Sequence, residues 1–232
     1  EEEGADAAWY KEGTYAAYLQ DHRDAGRPEA DLRIPAADYQ EGTAQGVSSA
    51  QGLPQTEEAP VALEEGSSVT WTVTVEQAGL YAVGFSYYPL TGKDVTIERE
   101  LLVNGRLPFE GSASILFSRR WAYVGEVGQD STGNDVRPEQ KETSDWFYTL
   151  AGGIQDYVDE PYLYYLQAGE NTLTLQGGKE PLALAWLELT QPDSPPSYAD
   201  YLAAWEAAGA ARVTGDPLKI QGEAAVGRSD RT

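Results

Sequence analysis

Two tryptophans, Trp121 and Trp146, bracket the stretch WAYVGEVGQDSTGNDVRPEQKETSDW, which is otherwise almost wholly polar. Tyr123 stands two positions after the first indole, and Asn134, Asp135, Arg137 and Gln140 lie between the two tryptophans. A flat ring can pack on the C–H face of a pyranose, while planar amides, carboxylates and guanidinium groups make paired hydrogen bonds to neighbouring hydroxyls. The stretch therefore carries both parts that a sugar requires. Arg119 and Arg120 precede Trp121 and suit either that role or the neutralisation of nearby carboxylates. The expected carbohydrate-binding set is Trp121, Tyr123, Trp146, Asn134, Asp135, Arg137, Gln140 and Arg120.

Other chemistries are excluded or unsupported by residue type. The chain has no Cys and a single His, His22, which removes thiol nucleophiles, disulfides, Ser–His pairs and tri-histidine zinc sites together. Glycoside hydrolysis needs two carboxylates, and spacing alone does not choose a pair among 38 acidic residues. No catalytic residue is therefore expected. Asp130-Ser-Thr-Gly-Asn-Asp135 gathers oxygen ligands, but it lacks the alternation of an EF-hand loop and reads as a tight turn. Neither a metal nor a cofactor is expected. With 16 basic residues against those acids, the net charge is −22 and no basic stripe forms, so nucleic acid is not an expected partner. No run approaches the length and apolarity of a membrane-spanning helix. A chain that opens on Glu1 and holds no Met reads as part of a longer secreted or cell-surface protein.

The elements that position the aromatic stretch show period-two patterning. Ser-Val-Thr-Trp-Thr-Val-Thr-Val at 68–75 puts Val69, Trp71, Val73 and Val75 on one face, as a half-buried strand does. GLYAVGFSYYP follows, then DVTIERELLVNGRLPF with a hairpin signal at Asn104-Gly105, then SASILFS. PYLYYLQAGENTLTLQGGKEPLALAWLELT supplies three further strands, with turns expected at Ala-Gly-Glu-Asn and Gly177-Gly178. Six to nine short antiparallel strands predict an all-β, jelly-roll β-sandwich. The Trp121–Trp146 stretch is expected to be a long ordered loop between two of them, with its rings forming part of a binding surface.

The chain also repeats itself. YAAYLQDHRDAG at 15–26 recurs as YADYLAAWEAAG at 198–209, a separation of 183 residues (198 − 15), and LRIPAADYQ from Leu32 is answered by LKIQGEAAV from Leu218. Short amphipathic helices ending at glycine are expected at 9–25 and 197–208. The implied organisation is a helical connector at 1–29, a sandwich module at 30–192, a second helical connector at 193–217 and the start of a similar second module at 218–232.

IPAADYQ, VTVEQAGLYAVGFSYY, LQAGENTLTLQG and PLALAWLELT resemble the galactose-binding-domain-like β-sandwiches, among them carbohydrate-binding modules, over roughly 32–190. IERELLVNGRLPF, GNDVRPEQ and the connector leading to LKIQGE further resemble the N-terminal region of large extracellular solute-binding lipoproteins of Gram-positive bacteria. The resemblance implies a non-catalytic, extracellular module whose partners are a glycan and the neighbouring domains of its own chain. Its alternative is a spacer or protein-interaction module of an ABC-transporter-associated lipoprotein. In such sandwiches a Glu early and an Asp late hold a structural calcium; Ala37 and Ala185 stand at those places here, and Glu223 stands at the early place of the second copy.

Overall fold

The computed structural model describes residues 13–153, 160–192 and 196–211. The chain divides into two units, Glu1–Pro192 and Asp193–Thr232. The first holds helix α1 (Tyr15–Asp21) and the strands β1 (Asp31–Pro35), β2 (Gln45–Ser49), β3 (Val61–Val75), β4 (Gly79–Pro89), β5 (Ile97–Val103), β6 (Ile115–Phe117), β7 (Trp121–Val124), β8 (Gly128–Gln129), β9 (Asp135–Val136), β10 (Glu139–Glu142), β11 (Phe147–Leu150), β12 (Leu163–Leu166), β13 (Gly169–Lys179) and β14 (Leu182–Thr190). The described part of the second unit is built on helix α2 (Tyr198–Ala207). Residues 9–12 of the first expected helix and the whole of 218–232 lie outside the described residues.

All strand pairing is antiparallel, as the alternation predicts. One layer runs β1–β14–β4, with β11 and β12 one after the other along the far edge of β4; the other runs β3–β13–β5–β6, with β2 along β3. The long strand β3 joins them, because Val61–Leu63 pair with β14 whereas Ser68–Val75 pair with β13. Val69, Trp71, Val73 and Val75 point inward, as expected, and meet Phe85, Phe117, Leu173, Leu187 and Leu189 in one core. The Trp71 indole N–H, buried there, donates to the Ala36 carbonyl at 3.0 Å, so the largest core side chain keeps its polar atom satisfied. The all-β sandwich expected from the sequence is the fold observed, with a short helix at each end.

Three local readings change. Gly177-Gly178 is a bulge inside β13, not a turn: the register with β5 shifts between Gln176 and Lys179, and Gly178, at φ +84°, sits where a Cβ would enter the Glu98 carbonyl. The reversal into β14 falls instead at Glu180, which is itself at φ +68°. Asn104-Gly105 does turn the chain, with Val103 and Arg106 exchanging two backbone bonds, but the next strand to pair with β5 along the chain is β6, reached through a 3₁₀ turn at Glu110–Ala113. The third change is the Trp121–Trp146 stretch, which is a two-stranded ribbon and not a loop. There β7 pairs with β10 and β8 with β9, and the ribbon carries exposed side chains on both faces.

One inward position of β5 holds a cation. Arg99 is fully buried and donates to the carbonyls of Glu98 and Lys179 at 2.7 and 2.9 Å, and of Glu180 at 2.6 Å. Burial pulls its pKa down to about 10.

Candidate functional site

The ribbon register decides which predicted residues share a face. Trp121 lies opposite Glu142 and Tyr123 opposite Gln140, so these four side chains stand on one face, with Ala122, Lys141, Val124 and Glu139 on the other. Trp121 and Tyr123 are about half exposed. At the tip, Asp130 caps the turn: its carboxylate accepts from the Thr132 and Asn134 backbone N–H groups at 2.8 and 2.9 Å and from both their side chains. Those hydrogen bonds, first the one from the Thr132 hydroxyl, hold its carboxyl well below the usual range. Asn134 is thereby committed to the turn, and Asp135 accepts from Gln129 at 3.3 Å. Arg137 is exposed just beyond β9.

The arginines at the base have structural partners. Arg119 is almost wholly buried: it donates to Glu142 at 2.7 Å, Glu180 at 2.9 Å, and the Leu90 and Val95 carbonyls at 2.9 and 3.0 Å. It ties the foot of the ribbon to the β4–β5 connection and to the β13–β14 turn. Arg120 lays its guanidinium over the Phe147 ring at 4.3 Å, and its carbonyl accepts from Thr143 N–H at 2.8 Å.

Trp146 belongs to a different surface. Its indole N–H donates to the Pro54 carbonyl at 2.9 Å and its ring meets Tyr88 at 5.5 Å; no ring contact joins it to Trp121 or Tyr123 among the described residues. With Trp186, Arg33, Gln55, Thr56 and Glu57 it lines an open groove of about 620 Å³ on the outer face of the β1–β14–β4 layer. Trp186 and Arg33 reach that face by alternation. Leu187 and Leu189 of β14 point inward while Trp186, Glu188 and Thr190 do not, and in β1 Ile34 is buried beside an outward Arg33. A bulge between Leu184 and Trp186 resets that phase, and Ala185, fully buried there, accepts the Ala36 N–H at 2.9 Å.

The groove floor is polar as well as aromatic. The Arg33 guanidinium stacks on Trp186 at 4.1 Å and pairs with Glu57 at 3.0 Å. Both charged side chains are substantially exposed, so the pair is cheap to open and either group can turn to a ligand. Next to Trp186, Tyr148 crosses β4 over Gly84, whose missing side chain leaves room for the ring, and its hydroxyl donates to Glu188 at 2.6 Å. Burial first, and then the Glu188 carboxylate, pushes the Tyr148 hydroxyl pKa up.

The predicted residues thus occupy four places: the ribbon face (Trp121, Tyr123, Gln140), the ribbon tip (Asn134, Asp135, Arg137), the ribbon foot (Arg120) and the sheet groove (Trp146). Trp186, Arg33, Gln55 and Glu57 were not anticipated. The outward slot of Trp186 between inward leucines was the available signal.

No protein-family model matches this chain, and no curated protein does. Among solved structures it is similar to the GH26-CBM35 β-(1,4)-mannanase of Podospora anserina, at 14% identity and TM-score 0.44, over 73% of this chain and 29% of that one. It is also similar to a family 35 carbohydrate-binding module from Clostridium thermocellum, at 15% identity and TM-score 0.39, over 70% of this chain and 100% of that one. A third is the carbohydrate-binding module of Cellvibrio mixtus lichenase 5A in complex with cellotriose, at 10% identity and TM-score 0.39, over 71% and 99%. The chain spans less than a third of the mannanase.

Proposed function

We propose that this protein is a non-catalytic glycan-binding module that works outside the cell or at its surface, and that the Trp146–Trp186 groove is where the sugar sits. The observation that supports it most is the pairing of two indoles with an arginine, a carboxylate, an amide and a hydroxyl in one open, shallow groove. An aromatic wall takes the apolar face of a pyranose, and Arg33, Glu57 and Gln55 satisfy its equatorial hydroxyls. The groove is preorganised on both sides. Trp146 is pinned by its N–H to the 50–60 connection, and Trp186 is held on β14 between Arg33 and Tyr148. Among the described residues Glu57 is the one carboxylate that lines this groove, and it is paired with Arg33, whereas hydrolysis by the two-carboxylate route needs a second across the bond.

The ribbon face of Trp121, Tyr123 and Gln140 offers a second stacking surface for a longer oligosaccharide. A glycan array probed with the parent chain and with Trp146→Ala, Trp186→Ala and Trp121→Ala tests the assignment. Loss of signal in the two groove variants supports it. A parent-like array in both groove variants refutes it.

A further inference from the structure

The two helices that repeat each other in sequence do not share a fate in the structure. Thr14 caps α1 by accepting from Ala17 N–H at 3.3 Å, and Ser197, at the repeated position, caps α2 by accepting from Asp200 N–H at 3.2 Å. Both helices are followed by the repeated glycine, Gly26 and Gly209. On α1 the face Tyr15, Tyr18, Leu19, His22 is docked. Tyr15 is 6% exposed and stacks among Phe109 and Tyr162 at 4.7 Å, Tyr18 meets Phe109 at 5.0 Å, and His22 meets Tyr165 at 4.6 Å. The corresponding face of α2 is Tyr198, Tyr201, Leu202, Trp205, and there Tyr198 is 75%, Tyr201 46% and Trp205 53% exposed. Tyr201, Leu202 and Trp205 line an apolar groove of about 240 Å³ within that unit.

What α1 does with its tyrosines shows what such a face is for. Among the described residues strand β12 pairs with β4 alone, so the backbone N–H groups on its other edge have no strand partner there. The Tyr15 hydroxyl accepts from Leu163 N–H at 2.8 Å and the Tyr18 hydroxyl accepts from Tyr165 N–H at 2.6 Å. Hydroxyls spaced i, i+3 on one helix face thus satisfy alternate amides of an edge strand, whose outward N–H groups recur every second residue. Burial raises the Tyr18 pKa to about 12, consistent with a hydroxyl seated under the helix.

We propose that α2 is the edge-capping helix of a second β-sandwich of this build, and that Tyr198, Tyr201 and Trp205 close on its edge strand as Tyr15, Tyr18 and His22 close on β12. The order helix, glycine, then Leu-Lys-Ile repeats the order that leads from α1 into β1.

The test uses the full chain, with Ala17→Asp, Gln20→Ala, Asp21→Ala, His22→Trp, Arg23→Glu and Asp24→Ala together, so that the α2 sequence takes the place of α1. The expected result is hydrogen-exchange protection of the Leu163 and Tyr165 amides within about tenfold of the parent, with blue-shifted emission from the indole introduced at position 22. Exchange as fast as in a Tyr15→Phe, Tyr18→Phe variant, which keeps the rings but removes the acceptors, overturns the proposal. Should the sixfold variant not fold, His22→Trp alone carries the test, since position 22 is the one place where the two docking faces differ: parent-like protection supports the proposal and lost protection overturns it. Sedimentation of the parent chain separates the other occupant. A dimer abolished by Tyr201→Ser with Trp205→Ser means that α2 covers a second copy, which also overturns it.

Discussion

Replacing Arg119 with Met keeps the aliphatic stem and removes a buried guanidinium that holds four partners on three segments. The Arg119 side chain is 3% exposed and that of Glu180 1%, so the substitution strands a carboxylate that water does not reach. Breaking a buried pair by removing one partner costs about 3–5 kcal/mol. Glu180 still accepts the Lys93 N–H at 2.7 Å, and Glu142 lies nearer the surface, which places the loss near the lower end, about 3 kcal/mol. At 2–4 °C per kcal/mol for a unit of this size, the thermal midpoint falls by roughly 6–12 °C. Urea unfolding followed by tryptophan emission reads the loss as a shift in midpoint at unchanged slope. Hydrogen exchange shows the foot of the ribbon, from Arg120 to Trp121 and from Glu142 to Thr143, opening before the sandwich does. A loss under about 1 kcal/mol, or ribbon amides protected as in the parent, refutes the account of Arg119 as the ribbon anchor.

Gly84→Ala drives a methyl group into the Tyr148 ring, so the fold loses about 1–3 kcal/mol and the Tyr148–Glu188 bond opens; calorimetry and a lowered Tyr148 titration midpoint at 295 nm check it. Tyr18 titrates at about 12 when folded, against 10.0 for the unfolded group, so the folded state holds its proton where the unfolded chain has released it. The stability tied to that hydroxyl is therefore complete below pH 10 and declines from pH 10 to 12, a decline that Tyr18→Phe flattens in urea midpoints measured against pH. Asn104 joins the β5 turn to β13 through Asn171 and the Thr172 N–H, so Asn104→Ala costs about 1–2 kcal/mol by urea unfolding, more than exposed-surface substitutions do.

The parts legible in sequence are those with one wet and one dry face. Val69 to Val75 of β3 alternate against threonines, and the structure buries every valine and Trp71. The ribbon escaped because β7 and β10 are exposed on both sides; with no dry face, WAYV and EQKE carry no hydrophobic period. Gly177-Gly178 resembles a turn signal because a bulge and a turn call on the same positive φ. Arg99 and Arg119 are written like surface residues; only the fold brings the carbonyls and carboxylates that make their burial tolerable. The candidate site was half visible. Trp146 was legible as a ring in a polar setting, but its neighbours Trp186 and Arg33 come from strands more than 100 positions apart from each other in sequence, and only the β1–β14 pairing, Pro35 opposite Trp186, makes them adjacent. Trp121 and Tyr123 were expected beside Trp146 because they share a segment, and the ribbon instead carries them on a face of their own.

The central claim, that the sheet groove is the sugar site, is tested most directly by titration calorimetry of the strongest array glycan into the parent, Trp146→Ala and Trp121→Ala. One pyranose stacked on Trp146 removes about 80 Å² of apolar surface from water, which at ~25 cal/mol per Å² is about 2 kcal/mol, or roughly thirtyfold in affinity. The account predicts that loss for Trp146→Ala, with the sandwich still folding cooperatively and a smaller loss for Trp121→Ala. Equal affinity in Trp146→Ala and the parent contradicts it.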